Sequence, residues 1–475
     1  MLPRSRALLR FGAYLLAFMA VGLAHWLRAT FGEVTIDQAL WHLRFAESAA
    51  LQMSTVLMVE FSVEVVLLPC IAAGLAATAH GLTSVRVGDR GRTLLRAIPT
   101  AVWGGAVLAL MLQFSVFSYA AAHYEPDHFG EHYVDAGQVA LKPGKPRNLV
   151  LIYMESLEQL YGDADLFGRD LLAPLRRLGG YSFPSYRQAP GATWTIAGIV
   201  ATQCGVPLKV YAERDVDHEG GRKVFLPRAT CLGDILQAHG YHNVFLGAAP
   251  LSFAGKGAFL RDHGYGETWG REEWKRFPEE VQDRNAWGLY DHKLLEHARR
   301  RLAELHAAGQ PFNLTILTLD THNPNGLLSP FCRRQGARDF KDIVSCSAEQ
   351  VAQLVEFARD QGYLKDTVVV IIGDHLAVPN PLWPELTQAG DRRRIFNLVL
   401  AEDGPAPNTP ELVPFDFFPT LLELVGIDVA GDRLGLGYSA VGSLEAPRPA
   451  DRTNVLAASA WQRASPMYDR LWTRD

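Results

Sequence analysis

Three long apolar stretches within the first 124 residues constrain the fold of this chain more than any other feature. They cover residues 11–27, 54–78 and 97–122. A helix of about 20 apolar residues crosses the hydrocarbon core of a bilayer, whereas the apolar part of a cleaved signal peptide has only about 7–15 residues. The sequence therefore predicts a retained membrane anchor of three helices over residues 1–124.

The arginines around these stretches set the predicted orientation of the anchor. Arg4, Arg6 and Arg10 precede the first stretch, and Arg86, Arg90, Arg92 and Arg96 lie in the predicted loop 81–96. Basic residues are concentrated in cytoplasmic segments of membrane proteins. Three crossings from a cytoplasmic amino terminus place the chain beyond the anchor on the periplasmic face of the inner membrane. The prediction is a multi-pass inner-membrane protein with its larger part in the periplasm.

Two features of the anchor have open interpretations. Glu60 and Glu64 lie four residues apart on one face of the second stretch, where they either reach the outer surface or face the interior of the helix bundle. Residues 34–46 combine a capping box at Thr35 and Gln38 with an apolar face. This pattern predicts a helix lying in the membrane interface, anchored by Trp41.

Beyond the anchor, short apolar runs alternate with helical patterns. The runs are residues 148–154, 243–248, 312–319, 367–372 and 396–400, and the helical patterns cover 291–308 and 348–361. Such alternation is typical of an α/β fold with a layered, largely parallel sheet. A capping box at Ser347 and Gln350 predicts the start of the second helix. The polar, proline-containing stretch 125–147 is predicted to be a linker, which leaves 148–475 as the catalytic domain.

Polar residues follow three predicted strands at their carboxyl ends, where open α/β sheets bind ligands. Glu155 follows the first strand, Asp320 and His322 follow the third, and Asp374 and His375 follow the fourth. Glu155, Asp374 and His375 form a ligand set for a divalent cation, because an acid and a histidine ending an apolar strand are otherwise unfavourable. Alternatively, Asp374 caps a helix and His375 is a hydrogen-bonded core residue. The carboxylate-rich set favours Mn²⁺ or Mg²⁺ over Zn²⁺.

A threonine that precedes an apolar helical stretch is the candidate nucleophile. Thr195 follows a Pro-Gly turn and leads towards Cys204. Free N–H groups and the dipole at a helix amino terminus stabilise an alkoxide or a bound phosphoryl group. A hydroxyl there is suited to covalent phosphoryl transfer if a metal lowers its pKa. The alternative is a simple helix cap.

Six sequence blocks together resemble one family. They are 153–157 (YMESL), 190–198 (PGATWTIAG), 203–207 (QCGVP), 253–256 (FAGK), 318–322 (TLDTH) and 373–377 (GDHLA). The blocks are similar to those of phosphoglycerol transferases, which belong with lipoteichoic acid synthases and phosphoethanolamine transferases in the alkaline phosphatase and sulfatase superfamily. The resemblance runs from about residue 148 to residue 439 and implies the layered α/β fold of that superfamily behind a membrane anchor.

The resemblance implies a role for each matching residue. The implied metal ligands are Glu155, Thr195, Asp374 and His375. Thr195 is also the implied nucleophile, and the neighbouring Trp194 is implied to bind substrate. His322 matches a histidine near the glycerophosphate in the synthases, where it holds the phosphoryl group or protonates a leaving oxygen. Lys256 stands where the synthases have an arginine, so a point charge replaces a bidentate fork at the phosphate.

The reaction that the resemblance implies is the transfer of phosphoglycerol from phosphatidylglycerol in the membrane to a periplasmic glucan. It would proceed through a phospho-threonine intermediate with a divalent metal, Mn²⁺ being favoured over Mg²⁺ and Zn²⁺. The alternative is a phosphoethanolamine transferase acting on a glycan or on lipid A, because it uses the same metal and threonine. A non-enzymatic membrane sensor is a third class.

Two further classes are disfavoured by the residues themselves. An arylsulfatase would need Cys or Ser followed by x-Pro-x-Arg, and residues 204–207 lack that pattern. Nucleic acid is not an expected partner, because 46 basic and 51 acidic residues give a net charge of −5 without a basic tail.

Four cysteines lie beyond the anchor, in the compartment predicted to be oxidising. They are Cys204, Cys231, Cys332 and Cys346, whereas Cys70 lies within the second apolar stretch. Four cysteines allow three pairings. Short loops and order along the chain favour Cys204 with Cys231 and Cys332 with Cys346, and free buried thiols are the alternative.

Overall fold

The amino-terminal helices extend beyond the apolar stretches that predict them. The computed structural model describes residues 3–44, 55–122, 124, 127–209, 218–219, 222–442 and 465–473. The chain divides into two units, 1–121 and 122–475. The long helices of the first unit are Pro3–Phe31, Thr55–Phe61 continuing through a π-helical turn at Ser62–Leu67 into Leu68–Arg86, and Asp89–Gln113. Three helices are long and apolar enough to cross a membrane, which confirms the predicted transmembrane helices.

The predicted loop 81–96 is helical except at Val87 and Gly88. Hydropathy marks the part of a helix that lies in hydrocarbon, whereas arginine is a good helix former and continues the helix beyond it. The predicted third stretch, 97–122, is interrupted in turn at Phe114 and Ser115, before a short helix at Val116–Ala122. Ser115 has a positive φ of 53°, which ends the preceding helix.

The predicted interfacial helix forms at Ile36–Arg44, and Thr35 Oγ1 accepts a hydrogen bond from the Gln38 backbone N–H at 3.2 Å. Phe45 and Ala46, at the end of the predicted helix, lie outside the described residues, as does Ser54 at the start of the second stretch. The Trp41 side chain is only 2% exposed, so it is buried by protein. Glu64 lies in the π-helical turn, and its Oε2 is buried without a hydrogen-bond partner among the described residues.

The described part of the predicted linker, residues 127–147, is folded into the second unit. It contains the helix His128–His132, a 3₁₀ turn at Ala136–Gln138 and the strand Leu141–Pro143, which pairs antiparallel with Ile427–Val429. Phe129 is buried and packs edge-on against Tyr468 at 5.3 Å between ring centroids. The polar composition and the prolines predicted a linker. The segment is ordered by pairing with a strand some 280 residues away, and such a distant contact leaves no periodic pattern in the local sequence.

A six-stranded sheet organises the second unit. Its strands are β1 (Asn148–Met154), β2 (His242–Gly247), β3 (Glu267–Trp269), β4 (Phe312–Leu317), β5 (Thr367–Gly373) and β6 (Asn397–Leu400). The order is β6-β5-β1-β4-β2-β3, and every neighbouring pair is parallel except β6 with β5. This confirms the predicted largely parallel sheet, and the five predicted strands differ from the observed bounds by at most two residues. Strand β3 was not predicted because three residues are too few to show a period.

Helices and short strand pairs surround this sheet. The longer helices are Thr195–Cys204, Leu232–Ala238, Lys256–Asp262, Asp291–Ala308, Phe340–Asp360, Trp383–Gln388 and Phe417–Leu424. Shorter helices are Ala164–Phe167, Ala173–Arg176, Pro330–Arg334 and Pro466–Arg470. The strand pairs are Ser185–Tyr186 with Glu411–Leu412, Arg433–Leu434 with Gly437–Tyr438, and His218–Glu219 with Arg222–Lys223.

The capping box predicted at Ser347 and Gln350 is wrong. The helix begins about two turns earlier, at Phe340, where the Asp339 side chain accepts a hydrogen bond from the Asp342 N–H. The Ser347 hydroxyl instead donates to Asp291 Oδ2 at 2.8 Å inside the core. A serine followed by a glutamine satisfies the cap pattern on an internal turn as well, so the pattern alone does not locate a helix start.

Both disulfides pair as the sequence predicts, Cys204 with Cys231 and Cys332 with Cys346. The Gln350 side-chain amide lies 3.2 Å from Cys332 Sγ and 3.1 Å from Cys346 Sγ, which fixes the second bridge against the helix Phe340–Asp360. The free thiol among the described cysteines is that of Cys70.

The second disulfide should contribute measurably to stability. It joins residues 14 apart. Cross-linking a loop of that size lowers the conformational entropy of the unfolded chain, which stabilises the folded state by about 3 kcal/mol at 25 °C. We expect the double variant Cys332→Ser, Cys346→Ser to lose about that much free energy of unfolding, measured by denaturant titration of the full chain in detergent. Cys70→Ser is the control, and an equal loss in that variant would contradict the prediction.

Candidate active site

The order of the strands brings the predicted site residues to one edge of the sheet. Strand β1 lies between β5 and β4, and Met154 is in register with Gly373. The residues directly after these strands, Glu155 and Asp374, are therefore neighbours. The segment after β4 carries His322 to the same edge. The position of each side chain follows from where its strand ends.

Glu155, Asp374 and His375 form a buried cluster. One ligand atom from each lies within 4.8 Å of the others. His375 Nε2 is 3.6 Å from Glu155 Oε1 and 3.5 Å from Asp374 Oδ2. All three residues are less than 5% exposed, so the cluster combines two carboxylates and one imidazole away from bulk water.

Backbone and side-chain groups around the cluster fix the orientation of each ligand. His375 Nδ1 lies 2.7 Å from the Leu376 carbonyl oxygen, which leaves Nε2 directed at the carboxylates. Asp374 Oδ1 accepts hydrogen bonds from the backbone N–H groups of Ser156 at 2.7 Å and His375 at 3.0 Å. The Ser156 hydroxyl donates to Glu155 Oε1 at 2.7 Å. Asp374 Oδ1 and Glu155 Oε1 are thus held by neighbouring protein groups.

Ser156 is a site residue that the sequence analysis missed. Its φ of 55° is unfavourable for a residue other than glycine. In this conformation the Ser156 N–H bonds to Asp374, and the Ser156 hydroxyl bonds to Glu155. The sequence feature that could have indicated Ser156 is its position directly after Glu155, at the end of a predicted strand.

Thr195 is the first residue of the buried helix Thr195–Cys204. Its hydroxyl donates to Glu155 Oε2 at 3.3 Å. One turn along, Gly198 packs directly on the backbone of Asp374, and a Cβ at this position would lie only 2.0 Å from the Asp374 carbonyl oxygen. Only glycine permits this close approach, which sets the start of the helix against the cluster.

Burial and neighbouring charges perturb the acids and the histidine of the cluster. Burial and the charge of Glu155 raise the pKa of Asp374 to about 7. Burial also acts to raise the pKa of Glu155, but the charges of His322 and His375 outweigh it, and the pKa is lowered. Burial opposes protonation of His375, yet Asp374 and Glu155 raise its pKa. Two buried carboxylates this close do not both ionise without a compensating cation.

The donor set fits a divalent cation. Asp374 Oδ2 is buried and has no hydrogen-bond partner among the described residues, and such an orphaned oxygen is unfavourable unless it binds a ligand. The set offers carboxylate oxygens, one hydroxyl and one imidazole nitrogen, and hard, oxygen-rich sets of this kind suit Mn²⁺ and Mg²⁺.

The three remaining predicted residues are also placed by the structure. Lys256 is 3% exposed at the start of its helix, and burial lowers the pKa of its ammonium group to about 8 although the charges of Glu155 and Asp374 oppose this. Thr321, directly before His322, donates its hydroxyl to the Glu155 carbonyl oxygen at 2.6 Å, which places His322 beside the same cluster. Trp194 caps the helix of Thr195, and its buried Nε1 has no hydrogen-bond partner among the described residues.

Trp287 and Asp291 support His322 and were not singled out from the sequence. The Trp287 ring lies 4.8 Å from the His322 ring, between centroids, and His322 Nδ1 lies 2.8 Å from the Asn323 carbonyl oxygen. The buried Asp291 carboxylate accepts a hydrogen bond from the Leu319 N–H at 2.6 Å, which holds the segment after β4. The sequence signal that could have indicated Asp291 is an acid at the start of a predicted helix.

A buried ion pair holds the chain just after His375. Arg393 Nε donates to both carboxylate oxygens of Glu158, at 3.2 and 3.1 Å, and Arg393 Nη2 donates to the Ala377 carbonyl oxygen at 2.6 Å. Glu158 Oε1 in turn accepts from the Ala377 N–H at 3.0 Å. The Glu158 side chain is fully buried and that of Arg393 is 16% exposed.

Removing Arg393 should destabilise the protein strongly. Arg393→Ala leaves Glu158 as an unpaired buried carboxylate, which costs about 3–5 kcal/mol. Arg392→Ala is the matched control, because its guanidinium is 63% exposed and lies 3.9 Å from Asp163, and such surface pairs contribute less than about 1 kcal/mol. Denaturant unfolding of both variants measures the difference, and equal losses would contradict the assigned role of the buried pair.

Residues 147–427 match the sulfatase family model. The chain belongs to the sulfatase family. This confirms the resemblance to the alkaline phosphatase and sulfatase superfamily, and it covers the residues that build β1 to β6 and the clustered ligands.

Curated proteins similar to this sulfatase-family chain include phosphoglycerol transferases. Phosphoglycerol transferase I of Escherichia coli O127:H6 is 38% identical over 328 residues, which are 67% of this chain and 41% of that protein. Phosphoglycerol transferase I of Shigella boydii serotype 18 gives the same values. The chain thus spans less than half the length of these curated relatives. A solved lipoteichoic acid synthase from Listeria monocytogenes aligns with a TM-score of 0.49 at 18% identity, covering 64% of this chain and 79% of that one.

Proposed function

We propose that this chain is a membrane-anchored glycerophosphotransferase that moves phosphoglycerol from phosphatidylglycerol to a periplasmic glucan. One observation carries the proposal: the Thr195 hydroxyl stands at the start of a buried helix, 3.3 Å from Glu155 Oε2 and beside the Asp374 and His375 pair. The name of the curated relatives, phosphoglycerol transferase I, supports the choice of transferred group.

In the first half-reaction, Thr195 is the nucleophile. Its proton passes along the hydrogen bond to Glu155 and on to solvent, while its oxygen forms a bond to the phosphorus of the lipid. The bond between phosphorus and the diacylglycerol oxygen breaks, and that oxygen takes a proton from His322. Diacylglycerol leaves into the bilayer, and glycerophosphate remains on Thr195.

In the second half-reaction, the acceptor hydroxyl displaces Thr195. His322, now unprotonated, accepts the proton of the glucan hydroxyl as its oxygen forms the new bond to phosphorus. The bond between phosphorus and the Thr195 oxygen breaks, and that oxygen takes a proton from solvent by way of Glu155. Lys256 and the Trp194 indole contribute positive charge and an N–H donor to hold the phosphoryl oxygens through both steps.

The proposed metal ligands are Glu155, Thr195, Asp374 and His375, and the proposed metal is Mn²⁺. When bound there, a divalent cation would lower the pKa of the Thr195 hydroxyl and offset the negative charge on the phosphoryl oxygens. Glu155 and Asp374 would hold it with hard oxygen donors, and His375 Nε2 would add a nitrogen donor.

The proposed location is the inner membrane, with the second unit in the periplasm. Three apolar helices support membrane anchoring, and arginines between the second and third helices favour a cytoplasmic position for that connection. Two disulfides in the second unit support an oxidising compartment. Anchoring raises the effective concentration of a lipid substrate at the active site.

The decisive experiment looks for the covalent intermediate. The purified full chain is incubated with Mn²⁺ and phosphatidylglycerol labelled in the head group, and intact-protein and peptide mass spectrometry locates any adduct. We expect a glycerophosphate adduct on Thr195 that disappears when periplasmic glucan is added. An adduct formed only with phosphatidylethanolamine would assign the phosphoethanolamine reaction instead, and no adduct with either lipid would overturn covalent transfer.

A further inference from the structure

A second group of metal-ligating side chains lies on the helix His128–His132, outside the active site. His128, Glu131 and His132 each offer a ligand atom, and these atoms lie within 4.8 Å of one another. His128 Nδ1 is 3.3 Å from Glu131 Oε2, and the two imidazole rings are 6.4 Å apart between centroids and nearly parallel. The side chains of His128 and Glu131 are 30% and 59% exposed.

The spacing of these residues explains why they share one face. Positions i, i+3 and i+4 of a helix are neighbours on its surface. His128, Glu131 and His132 occupy those positions, and Phe129 lies on a different side of the helix, where it is buried. Burial of Phe129 therefore directs the three ligands outward.

The helix that carries the three residues is held firmly in place. Phe129 packs against Tyr468 at 5.3 Å and stacks on Tyr133 at 5.0 Å, between ring centroids. Asp127 Oδ1 accepts from the Gly130 N–H at 2.9 Å, while Ser465 Oγ donates to Asp127 Oδ2 at 2.9 Å. A site whose ligands stand on a fixed element loses less entropy when it binds an ion.

The ligand chemistry differs from that of the active site. Two imidazoles and one carboxylate suit Zn²⁺, whereas the carboxylate-rich set at Glu155 and Asp374 suits Mn²⁺ or Mg²⁺. We propose that His128, Glu131 and His132 form a second, surface metal site that takes Zn²⁺. Three protein ligands leave one tetrahedral position of the ion for water or an exogenous anion.

Zinc binding to matched variants tests this proposal. The full chain is purified in detergent without a polyhistidine tag, stripped with a chelator and dialysed against buffered Zn²⁺, and bound zinc is measured by elemental mass spectrometry. Wild type should bind one more zinc ion per chain than His132→Gln or His128→Gln. Glu131→Gln should retain the ion with affinity reduced at least about tenfold, because even outer partners of a metal ligand have effects of 10–100-fold.

His239→Gln is the matched control, since His239 is a partly exposed histidine at the end of a helix, and its Nδ1 lies 2.8 Å from the Ile235 carbonyl oxygen. It should bind as much zinc as wild type. Equal zinc binding by wild type, His128→Gln and His132→Gln would overturn the site, as would an equal loss in His239→Gln. Melting temperatures without zinc should be unchanged in the variants, and phosphoglycerol transfer should persist, which separates this result from any failure of the proposed function.

Discussion

Thr195→Ala should abolish phosphoglycerol transfer. The substitution removes the hydroxyl that lies 3.3 Å from Glu155 Oε2 and leaves the helix Thr195–Cys204 in place. Removing a catalytic nucleophile costs about as much as removing the nucleophile together with the groups that activate it, so kcat should fall by at least about 10⁴-fold. Head-group release from labelled phosphatidylglycerol and adduct formation by mass spectrometry should both fall to background.

Two matched variants separate chemistry from packing. Thr195→Ser keeps a hydroxyl at the same position and should form the adduct on serine, with reduced turnover. Thr193→Ala removes another partly exposed threonine hydroxyl two residues earlier and should leave turnover close to wild type. If Thr195→Ala still released labelled head group at a rate near that of wild type, Thr195 would not be the nucleophile, and direct transfer to the acceptor would replace the two-step reaction.

Much of the sheet and of its functional edge can be predicted from the sequence because the signals are local. Strands β1, β4 and β5 are continuous apolar runs, and a strand buried on both faces needs little else to be recognised. Glu155 and Asp374 follow such runs directly. Parallel neighbours then bring their carboxyl ends together, so a topological rule turns three separate motifs into one site.

The parts that escaped prediction depend on distant contacts. Glu158 and Arg393 are 235 residues apart, and no pattern in either neighbourhood indicates a buried ion pair. The positive φ of Ser156 follows from two hydrogen bonds to the ligand cluster. Ser347 lies inside the helix Phe340–Asp360, and its hydroxyl bonds to Asp291, 56 residues away, which a local cap pattern does not express.

Asp374→Asn should remove the bound metal and with it the activity. The amide has no negative charge, and Asp374 supplies the buried oxygen without a hydrogen-bond partner among the described residues. Loss of a direct ligand should weaken metal binding by more than the 10–100-fold found for outer partners. Elemental analysis after dialysis against Mn²⁺ should find the metal in wild type and in the exposed control Asp165→Asn, but not in Asp374→Asn.

In the metal-free protein, Asp374→Asn should increase stability relative to wild type as the pH rises. In the absence of a cation the pKa of Asp374 rises from 3.8 to about 7, because of burial and the charge of Glu155. The folded state therefore holds a proton between about pH 4 and 7 that the unfolded state has released, so the contribution of Asp374 to stability falls as pH rises through that window.

Unfolding of chelated wild type and chelated Asp374→Asn across this range tests both halves of the argument. The stability of wild type relative to the variant should decline from pH 4 to pH 7, and added Mn²⁺ should restore wild type alone, because binding to the folded state stabilises it by mass action. A stability difference that did not change with pH, together with equal Mn²⁺ stabilisation of both proteins, would show that Asp374 neither carries the unfavourable charge nor binds the metal.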